Sequence, residues 1–458
     1  MILYYFINKC KIAIIILSAV VISSCKKLIE IKPPKSQISN DKVFEDDATA
    51  TSALFGIYGN LPTTLIIDDK NMDGELSCDN AFVSGSSTAL SEFATNQISV
   101  TNSRILSNLW SEPYKTIYRC NALLEGLDGS TGVTPNIKSQ LRGEALFIRS
   151  MEFYFLVNYF GNVPLAISTS IDENAQGERK SVTEVYAQIV KDLEEAKGLL
   201  SATYPSTAKI RANRYAVQAL LARVYLFLGN SLKAEEEATN VINSGVYTLG
   251  SLSSTFLRGS SEAILQISTL NGFATMTQAI VPANATSVPL FSFQTNFVNS
   301  FEVGDLRKST WTKTNTVGSS SYTYSYKYKN TVTTTGANAE DHMLLRLAEQ
   351  YLIRAEARAN QGKLDSAKSD INKIRIRAAL LPTQATSQID ILNVIEHERR
   401  MELFYELSDR WLTLKRLQKA ISILAPLKGS GWQNSDTLYP IPQQEINRNP
   451  FLTQNTGY

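Results

Sequence analysis

Histidine is almost absent from this chain: 458 residues hold two, His342 and His397. No HExxH, GxSxG, Walker loop or paired CxxC occurs, so zinc proteolysis, the serine elbow, phosphate cradling and thiol redox chemistry all lack their usual residues. Cysteine is nearly as scarce, with Cys10, Cys25, Cys78 and Cys120 the full set, too few for a disulfide scaffold. An excess of one charge is missing too. Lys and Arg number 45 against 43 Asp and Glu, and nothing in that balance marks a nucleic-acid partner. Past residue 22 no run of 18 apolar residues occurs, so no later segment reads as a spanning helix. A glycosidase is the enzyme class these absences leave open, because it needs only two carboxylates and 43 acids supply chance pairs.

What is present begins with an address. Lys9 and Lys11 precede a short apolar run from Ile12 to Ile22, which ends in Ile22-Ser23-Ser24-Cys25. That pattern resembles a lipobox, so residues 1–24 are expected to be a lipoprotein signal peptide and Cys25 the lipidated residue. With Cys10 lost and Cys25 lipidated, Cys78 and Cys120 either pair in an oxidising compartment or stay as thiols.

The remaining 434 residues (25–458) are read as one mostly α-helical domain. Leu146, Phe147, Ile148, Met151, Phe153, Phe155, Leu156 and Val157 cover nearly every face of a helix, and a helix apolar all round belongs in a core. Gly161 and Pro164 end it. Val182, Val185, Tyr186, Ile189, Leu193, Ala196 and Leu200 trace an amphipathic helix. Alanine-bearing helices then flank Gly229-Asn230, and the plan recurs around Gln361-Gly362. Small residues, a Gly turn and a partner helix resemble tetratricopeptide hairpins. Two such units more than a hundred residues apart predict a scaffold with insertions, about 105–248 and 340–420. The Ser/Thr/Asn-rich stretches at about 61–104 and 249–339 are expected to be loop-rich, with short strands such as Ala263–Ile267. Long irregular segments in a compact domain are usually functional, so the binding surface is expected there.

Three segments together resemble the SusD/RagB family. The first is Arg142–Leu165, closing in Gly161-Asn162-Val163-Pro164-Leu165. The second is EHERRMELFYELSDRWLTLKRLQ at 396–418. The third is LYPIPQQEINRNPFLTQNTGY at 438–458. Where the family usually has Gly before Arg-Trp this chain has Ser408-Asp409, and Thr413 stands where Asp is common. The resemblance implies a tetratricopeptide-like scaffold with insertions, anchored by lipid to the outer membrane at the cell surface. It implies a non-catalytic receptor that binds oligosaccharides or polysaccharides and hands them to a TonB-dependent, SusC-like transporter. A peptide receptor of the same family and a surface adhesin are the competing readings. Within the second segment Glu398, Arg399, Glu402, Glu406, Arg410 and Arg416 alternate with Leu403, Phe404, Trp411 and Leu414, which suggests a partly buried ion-pair network that fixes geometry. Trp110, Asp305 and Arg307 match family positions of structural type.

No motif transfers the ligand residues. Tyr322, Tyr324, Tyr326 and Tyr328 alternate, which places them on one face of a strand. Tyrosine suits sugars through its ring face and hydroxyl, yet the same stripe serves equally as core packing. Phe82, Phe273 and Trp311 are further aromatic candidates in polar surroundings. No cofactor is required. Asp69-Lys70-Asn71-Met72-Asp73-Gly74-Glu75-Leu76 does reproduce the opening of a calcium loop, with Asp69, Asn71 and Asp73 as oxygen donors. Asn80 occupies the twelfth position where Glu is needed, so the stretch is either a reduced calcium site or a polar turn.

Overall fold

A computed structural model describes residues 40–63 and 66–458; the expected signal peptide and Cys25 lie outside the described residues. The first elements are α1 (Asp47–Thr63), α2 (Ile66–Ser77), α3 (Glu112–Gly129) and α4 (Pro135–Phe160). The scaffold continues with α5 (Val182–Leu199), α6 (Arg214–Phe227) and α7 (Ser231–Asn243). After a long insertion come α8 (Leu347–Asn360), α9 (Leu364–Arg377), α10 (Gln388–Leu403) and α11 (Asp409–Arg416). The fold is mostly α, as the sequence indicates.

Local signals explain where these helices start. Ser181 caps α5: its hydroxyl accepts from the Glu184 amide while the Glu184 carboxylate accepts from the Ser181 amide, a reciprocal pair that satisfies two otherwise orphaned donors. Asn213 and Asn230 cap α6 and α7 through their side-chain oxygens. From Leu141 to Phe160 nearly every residue of α4 is buried, because α3 packs on one side and α5 on the other.

The two hairpin units, distant in sequence, meet directly. Helix α7 packs on α8, so α4 to α9 form one unbroken stack and the insertion loops out of it. Glu235 of α7 fastens the joint by accepting from Arg358, Gln361 and Lys363.

Short antiparallel ladders run through the insertion: β1 (Ala81–Val83), which comes from the segment after α2, pairs with β3 (Phe291–Phe293), β2 (Ala263–Ile267) with β6 (His342–Arg346), and β4 (Thr312–Val317) with β5 (Ser320–Ser325). The stretch 61–104 is not loop-rich as its composition suggested. It holds α2 and a second helix, Thr88–Thr95. Several of its polar residues are buried against partners, most of them distant: Lys70 pairs with Glu152, Asp69 and Asp73 with Arg104, and Glu75 with nearby Asn80 and the Tyr405 amide. Cys78 and Cys120 are free thiols, both buried, and burial pushes both thiol pKa values up. No helix among the described residues is long and apolar enough to cross a membrane.

Candidate functional site

The insertion is a set of segments fastened to one another. Thr334 donates its amide to Asn271 O, and both Glu340 N and Asn330 Nδ2 reach Gly272 O. Gly272 has φ +69°, and a Cβ there would sit 1.9 Å from Thr334 O, so the close crossing of these loops requires glycine. On the other flank Asn315 of β4, itself buried, donates to Asn284 O and Ser287 O. That pins the 281–290 loop against the β4–β5 hairpin, with β3 alongside β5.

The aromatic candidates divide on this frame. Phe82 in β1, opposite Ser292 of β3, is half-buried, as are Phe273, Tyr322 and Tyr326. Each offers part of a ring to solvent. Leu270, Val288 and Val332 are exposed in the same loops. Tyr326 is held between two cations, with Lys313 Nζ 5.1 Å and Lys329 Nζ 5.4 Å from its ring centre, an arrangement that fixes the ring's orientation.

The other two candidates are core residues. Trp311 has no solvent exposure; its indole N–H donates to Leu252 O at 2.8 Å and its ring packs on Phe256. Lys327 lies 4.8 Å above it. Tyr324 is buried as well, its hydroxyl directed at Asn315. The tyrosine alternation therefore does not give a four-ring platform: Tyr322 and Tyr324 share a strand face, Tyr326 lies past the end of β5, and Tyr328 is buried, its hydroxyl oxygen accepting from the Met343 amide.

The calcium-loop reading is likewise corrected. Asp69, Asn71 and Asp73 lie on α2 rather than around a loop, with Asp69 and Asp73 one turn apart and Asn71 between them on the other side. Asp69 and Asp73 share Arg104, whereas Asn71 accepts from the Leu407 amide on another face. The three oxygens do not converge. Burial raises the carboxyls of Asp69 to about 6 and Asp73 to about 7, against the pull of Arg104. Among the described residues no group of three or more His, Cys, Asp or Glu is placed to hold a metal.

Neither histidine sits in a reactive constellation. His342 is buried with Nδ1 3.3 Å from Asp68 Oδ1, and burial lowers the pKa of His397 beside Glu398 and Arg307. What the insertion face can do chemically is pack rings against a ligand and offer hydroxyls and amides. A feature the sequence did not reveal lies on the scaffold. Tyr118, half exposed on α3, and its neighbour Arg119 stand where two open grooves of about 790 and 660 Å³ meet.

Residues 32–226 match a family model described as SusD-like, "starch-binding associating with outer membrane", and residues 273–458 match the model of the SusD family. The chain is 22% identical to SusD-like protein P25 of Formosa agariphila, over 95% of this chain and 97% of that protein. Its fold is similar to that of a SusD superfamily protein from Bacteroides vulgatus, with TM-score 0.80 at 20% identity, covering 91% of this chain and all of the other. It is also similar to surface glycan-binding protein A from Bacteroides fluxus, with TM-score 0.76 at 23% identity over 90% and 99% of the two chains. With the two family models falling on the two halves of one helical stack, the chain belongs to the SusD/RagB family.

Proposed function

We propose that this protein is a surface receptor that binds an oligosaccharide or polysaccharide on its insertion face and makes or breaks no bond in it. The observation that carries the reading is the set of four half-buried rings, Phe82 in β1, Tyr322 in β5, and Phe273 and Tyr326 beside them in sequence segments tied by strand pairing and hydrogen bonds. Rings fixed in advance meet the C–H face of a sugar with little ordering cost. Family membership and the likeness to a glycan-binding protein support the same class of ligand. The captured glycan passes to a TonB-dependent, SusC-like transporter in the outer membrane, where the receptor is held at the cell surface by lipid on Cys25.

Calorimetric titration of the purified chain against glycan and peptide panels tests the reading. Saturable binding of one glycan class, weakened in Tyr326→Ala, is the expected result. Binding of peptides alone would replace it. Deleting the transporter gene is expected to abolish uptake while leaving glycan binding intact.

A further inference from the structure

Glu340 and Asp341, the two residues before β6, are buried acids that serve different partners. Asp341 takes a cation: its carboxylate accepts from Nε and Nη2 of Arg258, and its Oδ1 also accepts from the Thr269 amide. Glu340 takes backbone instead. Its Oε1 accepts from the Lys329 amide at 2.8 Å and its Oε2 from the Asn330 amide at 3.0 Å. Burial raises the Glu340 carboxyl, against the pull of those two amides and of Lys329.

These bonds lie between two of the half-buried rings. Two successive amides on the two oxygens of one carboxylate fix the orientation of the turn as well as its place. That turn follows Tyr326 in sequence, and it carries the Lys329 ammonium that lies 5.4 Å from the Tyr326 ring centre. The main chain of Glu340 grips the other segment. Its amide donates to Gly272 O at 2.9 Å, and its carbonyl accepts from the Thr269 hydroxyl at 2.6 Å. Phe273 is the next residue along. Asn330 completes the tie by donating through Nδ2 to Gly272 O. All of these partners belong to the insertion, and none stands on a helix of the stack. Glu340 itself is 2% exposed, so a ligand at the surface meets the rings and not the carboxylate.

We propose that Glu340 is a positioning residue for the glycan: it holds Tyr326 and Phe273 in a fixed relative arrangement, so that both rings are in place before the sugar arrives. The proposal rests on the glycan-binding reading above. Contact groups fixed in advance lower the ordering cost of association, and a loosened turn adds that cost back.

The test is calorimetric titration of the full chain in detergent with maltohexaose, laminarihexaose and xylohexaose. Toward the hexasaccharide that the parent binds, Glu340→Ala should lose about 10-fold in affinity, and Glu340→Gln, which keeps one acceptor oxygen, about 3-fold. The glutamine variant carries the test at temperatures where the alanine variant unfolds. The effect should run through the rings, so in a Tyr326→Ala background the further loss from Glu340→Ala should shrink to about 3-fold or less. Fluorine spectra of fluorotyrosine-labelled protein give a readout free of ligand. The Tyr326 line, assigned with Tyr326→Phe, should shift or broaden in Glu340→Ala and return toward the parent's in Glu340→Gln. A merely structural role would move the thermal midpoint and leave both the Tyr326 line and the affinity of the folded protein unchanged. Parental affinity in Glu340→Ala, or a loss fully additive with that of Tyr326→Ala, overturns the proposal and leaves the receptor reading standing. Failure of the parent to bind any of the three sugars overturns both.

Discussion

Arg346 Nη1 donates to Glu402 Oε1 at 2.6 Å, and both side chains are sealed from solvent. The same guanidinium reaches Glu262 and Glu406, while Glu402 also accepts from Arg307 and Arg377. Burial pushes the Glu402 carboxyl up, but Arg377, Arg346 and Arg307 overcome it and hold the group well below the usual range. The network ties the insertion, through β6, to α9 and α10 of the scaffold. Removing one partner strands a buried charge, so Glu402→Gln is expected to cost about 3–5 kcal/mol in denaturant unfolding. Joint apolar replacement of Arg346 and Glu402 should cost less than the sum of the single changes. A Glu402→Gln protein as stable as the parent would contradict this account.

Gly74 and Ser408 make the second prediction. Ser408 has φ +58°, the left-handed region that favours glycine. Its hydroxyl bonds to Lys70 O and to the Tyr159 hydroxyl, which offsets the strain of that conformation. A Cβ at residue 74 would stand 2.2 Å from Ser408 Oγ and 2.6 Å from its Cα. Gly74→Ala should therefore lower stability by about 1–3 kcal/mol, although alanine is the better helix former by about 1 kcal/mol. Adding Ser408→Gly should recover part of the loss, because the hydroxyl and Cβ no longer obstruct. Full additivity of the two changes would show that they do not touch.

Acids on α2 set a pH dependence. Burial raises Asp69 to about 6, and Asp73 and Glu75 to about 7, while the unfolded chain titrates near 4. The folded state thus keeps protons that the unfolded state has released. Their contribution to stability is full below about pH 4 and is lost as pH rises through 7. Glu402 acts with the opposite sign, its contribution lost only as pH falls below the ordinary carboxylate range. Between pH 5 and 8 the parent should lose about 1–3 kcal/mol relative to Asp73→Asn, read from urea midpoints at each pH. Parallel pH profiles would mean that Asp73 is ionised throughout.

Sequence reading succeeded where the cause was local and failed where it was distant. The all-round apolar run of α4 announces its own burial, and the charged 396–418 segment announces ion pairs, because acids and bases stand densely among core residues. The same reading placed Asp69, Asn71 and Asp73 in a turn, since Arg104 is more than 30 positions away and nothing local says that those acids are neutralised. Trp311 failed for the same reason. Lys308, Ser309, Thr310 and Lys313 make its neighbourhood polar, whereas its packing partners Phe256, Lys327 and Leu252 come from other segments.

The two classes of aromatic residue should separate in one experiment. Trp311→Ala empties a fully buried position and removes the hydrogen bond to Leu252 O, so a loss of about 3–5 kcal/mol in stability is expected. At temperatures where that variant remains folded its glycan affinity should equal the parent's, because the ring never meets solvent. Tyr326→Ala and Phe82→Ala remove half-exposed rings instead. Their thermal midpoints should barely move, and their affinity for the bound glycan should fall by about 3- to 10-fold. If Trp311→Ala weakens binding while its midpoint holds, the indole is reached by ligand after an opening of the insertion. If Tyr326→Ala binds as the parent does, the insertion face is not the glycan platform, and the groove at Tyr118 and Arg119 becomes the site to examine.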